Sequence, residues 1–394
     1  YDYVYEGLEG NTALEEATGK SISDIKRNIE KNLLESAAQS IYTMDGRIRG
    51  NFGMHHSALA TLAIVLDNEN TERYLDFVLY ATGMGSYPYE GIIMGLSNLI
   101  YRDGAPFESS PGYNSLWIGH FNMVAELFLR RGINLYQDYP KLKRLFDYPL
   151  KIVMAEKFTP NIGDEGSVKA RGITGWRAST YKTAFEQWGD RAYLTGAPLT
   201  TVSDNMSAYG LAMLRSGKGS QAAGLSLYYG LAGGHGHYDR LNIELFAKDE
   251  RLLPDLGYPE YMSGFHKKLA GWTGHTVSHN TVLVNERRQL SKSGGRLQLF
   301  SGSSQVQYVD VRAEEAYQGI TSRYQRSVAM INPALRDVYV VDVFRVEGGY
   351  QHDYSIHGPD GEFSVEGIDL TSPRTEGTLA GPDVPFGYLY DAPH

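Results

Sequence analysis

The feature that most constrains this chain is a switch of hydrophobic period near residue 200. Upstream, apolar residues recur at helical spacing; downstream, short runs of β-branched and aromatic residues alternate with Gly, Asp and Ser turns. Ser21 with Asp24 reads as a capping box, and Ile25, Ile29 and Leu33 follow on one helical face. A second helix starts near His55, with Leu59, Leu62, Ala63 and Leu66 on one side. Residues 71–82 and 89–101 are shorter candidates. Residues 116–131 are a stronger one: Leu116, Met123 and Leu127 form a stripe, Arg130 and Arg131 suit the negative end of the helix dipole, and Gly132 stops it. Residues 139–157 and 181–193 continue the series. Many helices joined by polar loops, with almost no strand pattern between them, imply helical hairpins stacked as an α/α toroid.

Eight strands are expected after the switch, at 209–215, 224–229, 241–248, 281–285, 305–312, 324–331, 338–346 and 350–356. No helical crossover separates them, so the sheets should be antiparallel. Leu241, Ile243, Leu245 and Ala247 alternate with polar residues, which predicts a half-buried strand. At 394 residues, two cores are the default expectation. The reading is an α+β multidomain chain, with a helical domain over 1–200 and an antiparallel β-sandwich domain over 201–394, the boundary falling between Pro198 and Ser207.

A net charge of −9 and the lack of any Lys/Arg run speak against nucleic acid or an anionic membrane as partner. A polyanionic substrate remains compatible, because a basic cleft can sit in an acidic protein. No apolar run reaches membrane-spanning length. Without cysteine there are no thiolate metal sites and no disulfides. The chain opens on Tyr1, so removal of a leader or an upstream segment is expected; a secreted or periplasmic location in a bacterium is expected as well. It stops at GYLYDAPH, still strand-like, so C-terminal truncation is expected too. The 29 tyrosines offer flat apolar faces with a hydroxyl, which suits sugar rings, although most should simply pack in cores.

The densest chemistry lies in 233–289. His235 and His237 flank a glycine, Asp255 follows an apolar run, and His279 precedes Asn280. These are borderline ligands that suit zinc or a similar divalent ion. On a strand, residues two apart share a face but stand roughly 6–7 Å apart, so one ion need not take both His235 and His237. The other reading makes these histidines hydrogen-bond partners in turns, and spacing alone does not choose. GGHGHYDR lacks the third glycine of a dinucleotide loop and precedes a strand instead of a helix. Two further stretches carry candidates. Glu108, Tyr113 and Asn114 sit in ESSPGYN, a loop before a helix; Asn51, His55 and His56 open another helix in NFGMHH. Read locally, Tyr113 is more simply a turn-packing aromatic, and the paired histidines more simply solvated.

Together GGHGHYDRLNIELFAKDERLLPDLGYP, WTGHTVSHNTVLVNERRQ, ESSPGYN, PNIGDEG and DVYVVDVFRVEGGYQHDYSIHG resemble the heparinase II/III-like polysaccharide lyases, and within them the alginate and oligoalginate lyases. The resemblance implies a helical toroid followed by an antiparallel β-sandwich, and cleavage of an acidic polysaccharide by β-elimination. It implies that Tyr113 is the phenol acting as base, acid or both, and that His235 is its partner at the reacting centre. His56, with His55 or Asn51, would neutralise the substrate carboxylate; Glu108 and Asn114 would contact substrate. His237, Asp255 and His279 would hold a structural divalent metal, zinc being the expected ion. Relatives carry Asn-His where this chain has His55-His56. Tyr258 and Tyr261 compete for a second tyrosine position, Tyr261 being preferred as catalytic and Tyr258 as substrate-binding, and Arg240 resembles a substrate-carboxylate contact. The helical half is short upstream of His56, so an incomplete toroid is expected.

Two rivals differ in class. An α/α-toroid glycoside hydrolase needs a carboxylate pair, for which Asp103 with Glu108, or Asp164 with Glu165, can be offered. A non-catalytic glycan-binding relative would bind without forming product.

Overall fold

The computed structural model describes residues 1–44, 50–82, 90–166, 172–231, 233–258, 271–290, 293–333, 337–372 and 380. It divides into two compact units, Tyr1–Ile100 with Leu116–Leu142, and Tyr101–Ser115 with Lys143–His394. The last helix before the strands ends at Thr195 and the first strand starts at Asp204, where the hydrophobic period changes. The compact units divide elsewhere, because 101–115 and 143–200 pack with the strands.

The first unit is helical: α1 (Thr12–Thr18), α2 (Ile22–Ile29), α3 (Ser36–Tyr42), α4 (Met54–Leu66), α5 (Thr71–Tyr80), α6 (Ile92–Asn98), the larger part of α7 (Pro111–Arg130), α8 (Leu135–Asp138) and the start of α9 (Pro140–Lys151). Ser21 caps α2, its hydroxyl accepting from Asp24 N at 3.1 Å. In α7 the buried stripe is Trp117, Phe121, Val124 and Phe128, whereas Leu116 and Met123 are 40% and 47% exposed. The expected stripe therefore lay on the wrong face. The aromatic residues bury more area per position, and they decide which way the helix turns.

The second unit adds α10 (Ala178–Trp188), α11 (Ala192–Thr195) and eleven strands among the described residues. All pairings between these strands are antiparallel, as expected. One sheet runs β1 (Asp204–Met206), β2 (Leu211–Ser216), β3 (Ala223–Tyr228), β4 (Asn242–Ala247) and β5 (Glu250–Leu253) in spatial order. A second runs β10 (Tyr339–Gly348), β9 (Thr321–Ile331), β8 (Val306–Arg312) and β7 (Arg296–Gly302); β11 (His352–Tyr354) pairs with β6 (Val282–Val284). Leu214, Leu225, Leu227 and Ile243 of the first sheet share one core with Val309, Val311, Val328 and Met330 of the second. This is a sandwich. The opposite face of the first sheet, with Leu211, Met213, Tyr228 and Phe246, packs on Tyr148, Ile152, Met154 and Phe158.

That third layer corrects the half-buried reading of β4. Asn242 and Glu244, on the supposed solvent face, are 4% and 1% exposed. Glu244 accepts from Arg251 Nη1 at 3.0 Å and from Asn161 N at 2.6 Å, so the polar residues are buried but satisfied. The β4–β5 turn places Lys248 and Asp249 at φ +54° and +64°, the type I′ geometry of a tight hairpin. Without Asn-Gly there, the sequence pattern did not expose β5. In β7 a register shift between Leu297 and Leu299 hides the alternation.

Candidate active site

The ESSPGYN stretch is a loop only over 108–110. Pro111 begins α7, where its missing N–H is no loss, and Tyr113 and Asn114 lie in the first turn. Glu165 closes this helix end: its carboxylate accepts from Gly112 N and, at 3.4 Å, from Ser110 Oγ, while Thr174 Oγ1 donates at 2.7 Å. Burial pushes the Glu165 carboxyl up despite these donors. Asn114 is fully buried, its Nδ2 donating to the Glu108 carbonyl at 2.9 Å and to Tyr148 Oη at 3.2 Å. It braces the turn that presents Tyr113, and substrate contact from this position would require it to leave both partners.

Tyr113 stacks on His235, with ring centroids 3.3 Å apart and planes 7° from parallel. Burial, then the Tyr258 phenol and the Asp164 and Glu108 carboxylates, push the Tyr113 hydroxyl above the usual tyrosine range. At neutral pH it therefore rests protonated, as a donor. His235 sits in a left-handed turn at φ +58°, one-third exposed. Its Nδ1 is 2.9 Å from Asp164 Oδ2 and its Nε2 is 4.0 Å from Glu108 Oε2. Asp164 N donates to the His235 carbonyl at 2.9 Å, and a Cβ on Gly163 would lie 2.2 Å from the same oxygen. Only glycine lets the two segments meet here.

His237, Asp255 and His279 are brought together and buried. His237 and His279 have ring centroids 5.4 Å apart. Asp255 Oδ2 accepts from His279 Nδ1 at 2.6 Å and from Asn242 Nδ2 at 2.8 Å, and Oδ1 accepts from Gly257 N at 2.8 Å. His237 Nε2 donates to Asp164 Oδ1 at 2.9 Å. Burial holds His237 below the usual histidine range even with that carboxylate against it. Burial alone would raise the Asp164 carboxyl; the hydrogen bonds from His235 and His237 overcome it and hold it at about 2. The bond is therefore a neutral imidazole N–H against a carboxylate. His237 Nδ1 and His279 Nε2 are buried without a hydrogen-bond partner among the described residues. Two lone pairs thus fit a cation, but Asp255 faces His279 as an outer partner. No group of three such side chains among the described residues is arranged to hold a metal ion.

A family model described as heparinase II/III-like, C-terminal, matches residues 199–376. This C-terminal part carries a likeness to the heparinase II/III-like superfamily. It is 29% identical over 129 residues to an exo-oligoalginate lyase of Saccharophagus degradans, and 25% identical over 174 residues to an alginate lyase of Stenotrophomonas maltophilia. Those stretches cover 29% and 40% of this chain, and 17% and 23% of the relatives. Among solved structures, a heparinase III superposes with a TM-score of 0.67 at 16% identity, over 92% of this chain and 56% of that one. The heparan sulfate lyase HepC from Pedobacter heparinus gives 0.61 at 18%, over 87% and 61%. At these identities the structural likeness speaks for fold.

The remaining candidates fall elsewhere. Tyr261 lies outside the described residues. Tyr258 is half-buried, its N–H donating to the Glu165 carbonyl at 2.8 Å. Arg240 is fully buried; it pairs with Asp239, donates to the His237 carbonyl at 2.8 Å, and lies 5.3 Å over the Tyr228 ring. That arrangement holds the backbone at His237 and does not present a guanidinium to solvent. The carboxylates offered for hydrolysis are engaged as well: Asp103 accepts from Ala208 N and Tyr209 N, both at 2.9 Å. Asp164, weighed only as half of a hydrolytic pair, is the residue that sequence reading missed. Its signal was PNIGDEG, whose Asn161, Asp164 and Glu165 each bond to a different part of the site.

Asn51, His55 and His56 belong to the first unit. Asn51 is half-buried before α4, its carbonyl accepting from Met54 N at 3.1 Å. His56 is 3% exposed, tilted against Phe52 at 4.8 Å, and its Nε2 donates to the Glu90 carbonyl at 2.6 Å. A carbonyl only accepts, so the proton is on Nε2, and burial holds the group down at about 4. In this arrangement His56 is neutral and has no second proton to offer a carboxylate. His120, not singled out from sequence, lies beside it in the fold, with Ser57 Oγ 3.1 Å from its Nδ1. A histidine whose folded pKa lies below its unfolded value of about 6.5 stabilises fully above 6.5 and loses that contribution as pH falls towards 4. His56 should therefore remove about 3 kcal/mol between pH 7 and pH 4. Urea melts across this range should show a shallower decline for H56Q than for wild type.

Proposed function

We propose that the chain cleaves a uronate polysaccharide, alginate, by β-elimination, leaving an unsaturated uronate at the new non-reducing end. The observation that carries the reading is the Tyr113–His235 stack, with a protonated phenol against an imidazole braced by Asp164. Elimination needs a base for the proton on C5, which lies α to the carboxylate, and an acid for the departing O4. His235 Nε2 takes the proton and Tyr113 protonates O4. The substrate carboxylate must be neutralised for the enolate-like intermediate to form; Asn51, His55 and His56 are the family's candidates for that task, His56 only by giving up its bond to the Glu90 carbonyl. The alginate preference rests on the two curated relatives and goes no further than their names. The test is absorbance of the conjugated double bond during digestion of alginate, heparan sulfate, hyaluronan and ulvan. No rise on any of them would sink the reading.

The expected metal remains part of this proposal, as does secretion or a periplasmic location. His237 Nδ1 and His279 Nε2 would hold a zinc ion, with Asp255 turning from His279 to join them. Its chemistry would be structural, because elimination consumes no water. Metal analysis of the purified chain should find about one equivalent, lost in H279A together with thermal stability. A metal-free, equally stable wild type would refute it.

A further inference from the structure

We propose that Asp164 is the positioning residue of this site, its one carboxylate fixing the tautomers of His235 and His237 together. For its catalytic consequence the inference rests on the lyase reading; for the tautomers it rests on geometry alone.

An ionised carboxylate offers acceptors and no donor. Oδ2 lies 2.9 Å from His235 Nδ1, and Oδ1 lies 2.9 Å from His237 Nε2. Each of those nitrogens must carry its ring's proton, since the opposite tautomer would set a lone pair against a lone pair. His235 is left with its lone pair on Nε2, and His237 with its lone pair on Nδ1. The two rings, two residues apart, thus expose opposite nitrogens. The first is free to accept a proton, because Glu108 Oε2 at 4.0 Å is beyond hydrogen-bond range. The second is the buried nitrogen that has no partner among the described residues. The backbone fixes the arrangement independently of the side chain: Asp164 N donates to the His235 carbonyl at 2.9 Å, across Gly163, which has no room for a Cβ.

An asparagine has the same shape but one acceptor and one donor. In D164N one imidazole keeps its bond to the amide oxygen. The other faces the NH2 group and must move its proton to the far nitrogen. If His235 is that ring, its reaction-facing nitrogen becomes N–H and can no longer accept a proton. If it is His237, the change reaches catalysis only through the packing of the two rings. Outer partners that orient a working histidine are worth about 10–100-fold, and more where a tautomer is reversed.

The experiment is a histidine side-chain 15N correlation spectrum of the purified wild type and D164N, with kcat and KM on alginate for each. Wild type should show His235 protonated on Nδ1 and His237 on Nε2. D164N should show one ring switched; with His235 as that ring, kcat falls about 100-fold and KM stays within about threefold. D164E, which restores two acceptors, should recover both tautomers and part of kcat. A wild-type spectrum with either ring in the opposite tautomer overturns the proposal whether or not D164N folds. So does a folded D164N with both rings and kcat unchanged. A wild type with the assigned tautomers but no activity on any polyuronate would overturn the lyase reading and leave the role of Asp164 standing.

Discussion

Tyr113→Phe should lower turnover on alginate on the order of 10³-fold, with substrate affinity nearly unchanged. The substitution removes one oxygen. The ring that stacks on His235 at 3.3 Å remains, and so does the helix turn braced by Asn114 and Glu165. What disappears is the proposed acid for the leaving O4. Burial and three negative or phenolic neighbours hold that phenol protonated. A loss in kcat with KM held is the signature of an interaction made only in the transition state. Continuous absorbance of the unsaturated product gives kcat, and isothermal titration of the inactive variant gives affinity. Turnover within tenfold of wild type would remove Tyr113 from the chemistry.

Arg326→Met should destabilise the second unit by about 3–5 kcal/mol, the range for leaving a buried ion-pair partner uncompensated. Arg326 lies on β9 and is fully buried. All five of its N–H donors are used. Nε and Nη2 hold Asp342 at 2.9 and 2.7 Å, Nη1 reaches the Leu241 and Asn280 carbonyls at 2.7 and 2.5 Å, and Nη2 also meets Tyr354 Oη at 2.7 Å. One guanidinium therefore ties β9 and β10 to β11, to the start of β4, and to the residue after His279. Methionine fills much of the volume but leaves two buried carbonyls unmatched, and leaves the part-buried Asp342 carboxylate with Tyr354 Oη in place of a charged partner. Arg326→Lys keeps the charge without the planar fork, so it should recover only part of the loss. Urea unfolding of the three proteins measures this. A methionine variant within 1 kcal/mol of wild type, on the order expected for a surface change, would show that water replaces these contacts.

Much of the fold was legible because it depends on local period. The helical first stretch, the strands after residue 204 and their antiparallel pairing follow from spacing that any short window contains. Faces were less legible. Leu116 and Met123 are as apolar as the residues that replace them in the core, and only the packing of Trp117 and Phe121 against Phe52 at 4.9 and 5.8 Å settles the orientation of α7. Likewise Asn242 and Glu244 have the composition of a solvent face. They are buried because residues far away in sequence, Asn161 and Arg251, supply their partners.

The site divides in the same way. By itself the sequence determined which side chains could do chemistry: the His-Gly-His turn, Asp255, His279 and the tyrosine after Pro111. Their grouping by family pattern brought Tyr113 to His235, and His237 to Asp255 and His279. Tertiary structure alone decided which nitrogen of each imidazole works, because that depends on what sits across from it. Asp164 is 71 residues from His235 in the chain and 2.9 Å from it in space. A hydrogen bond between groups so separated leaves no period and no spacing in the sequence. It exists only once the PNIGDE segment has been folded against the turn that opens β4.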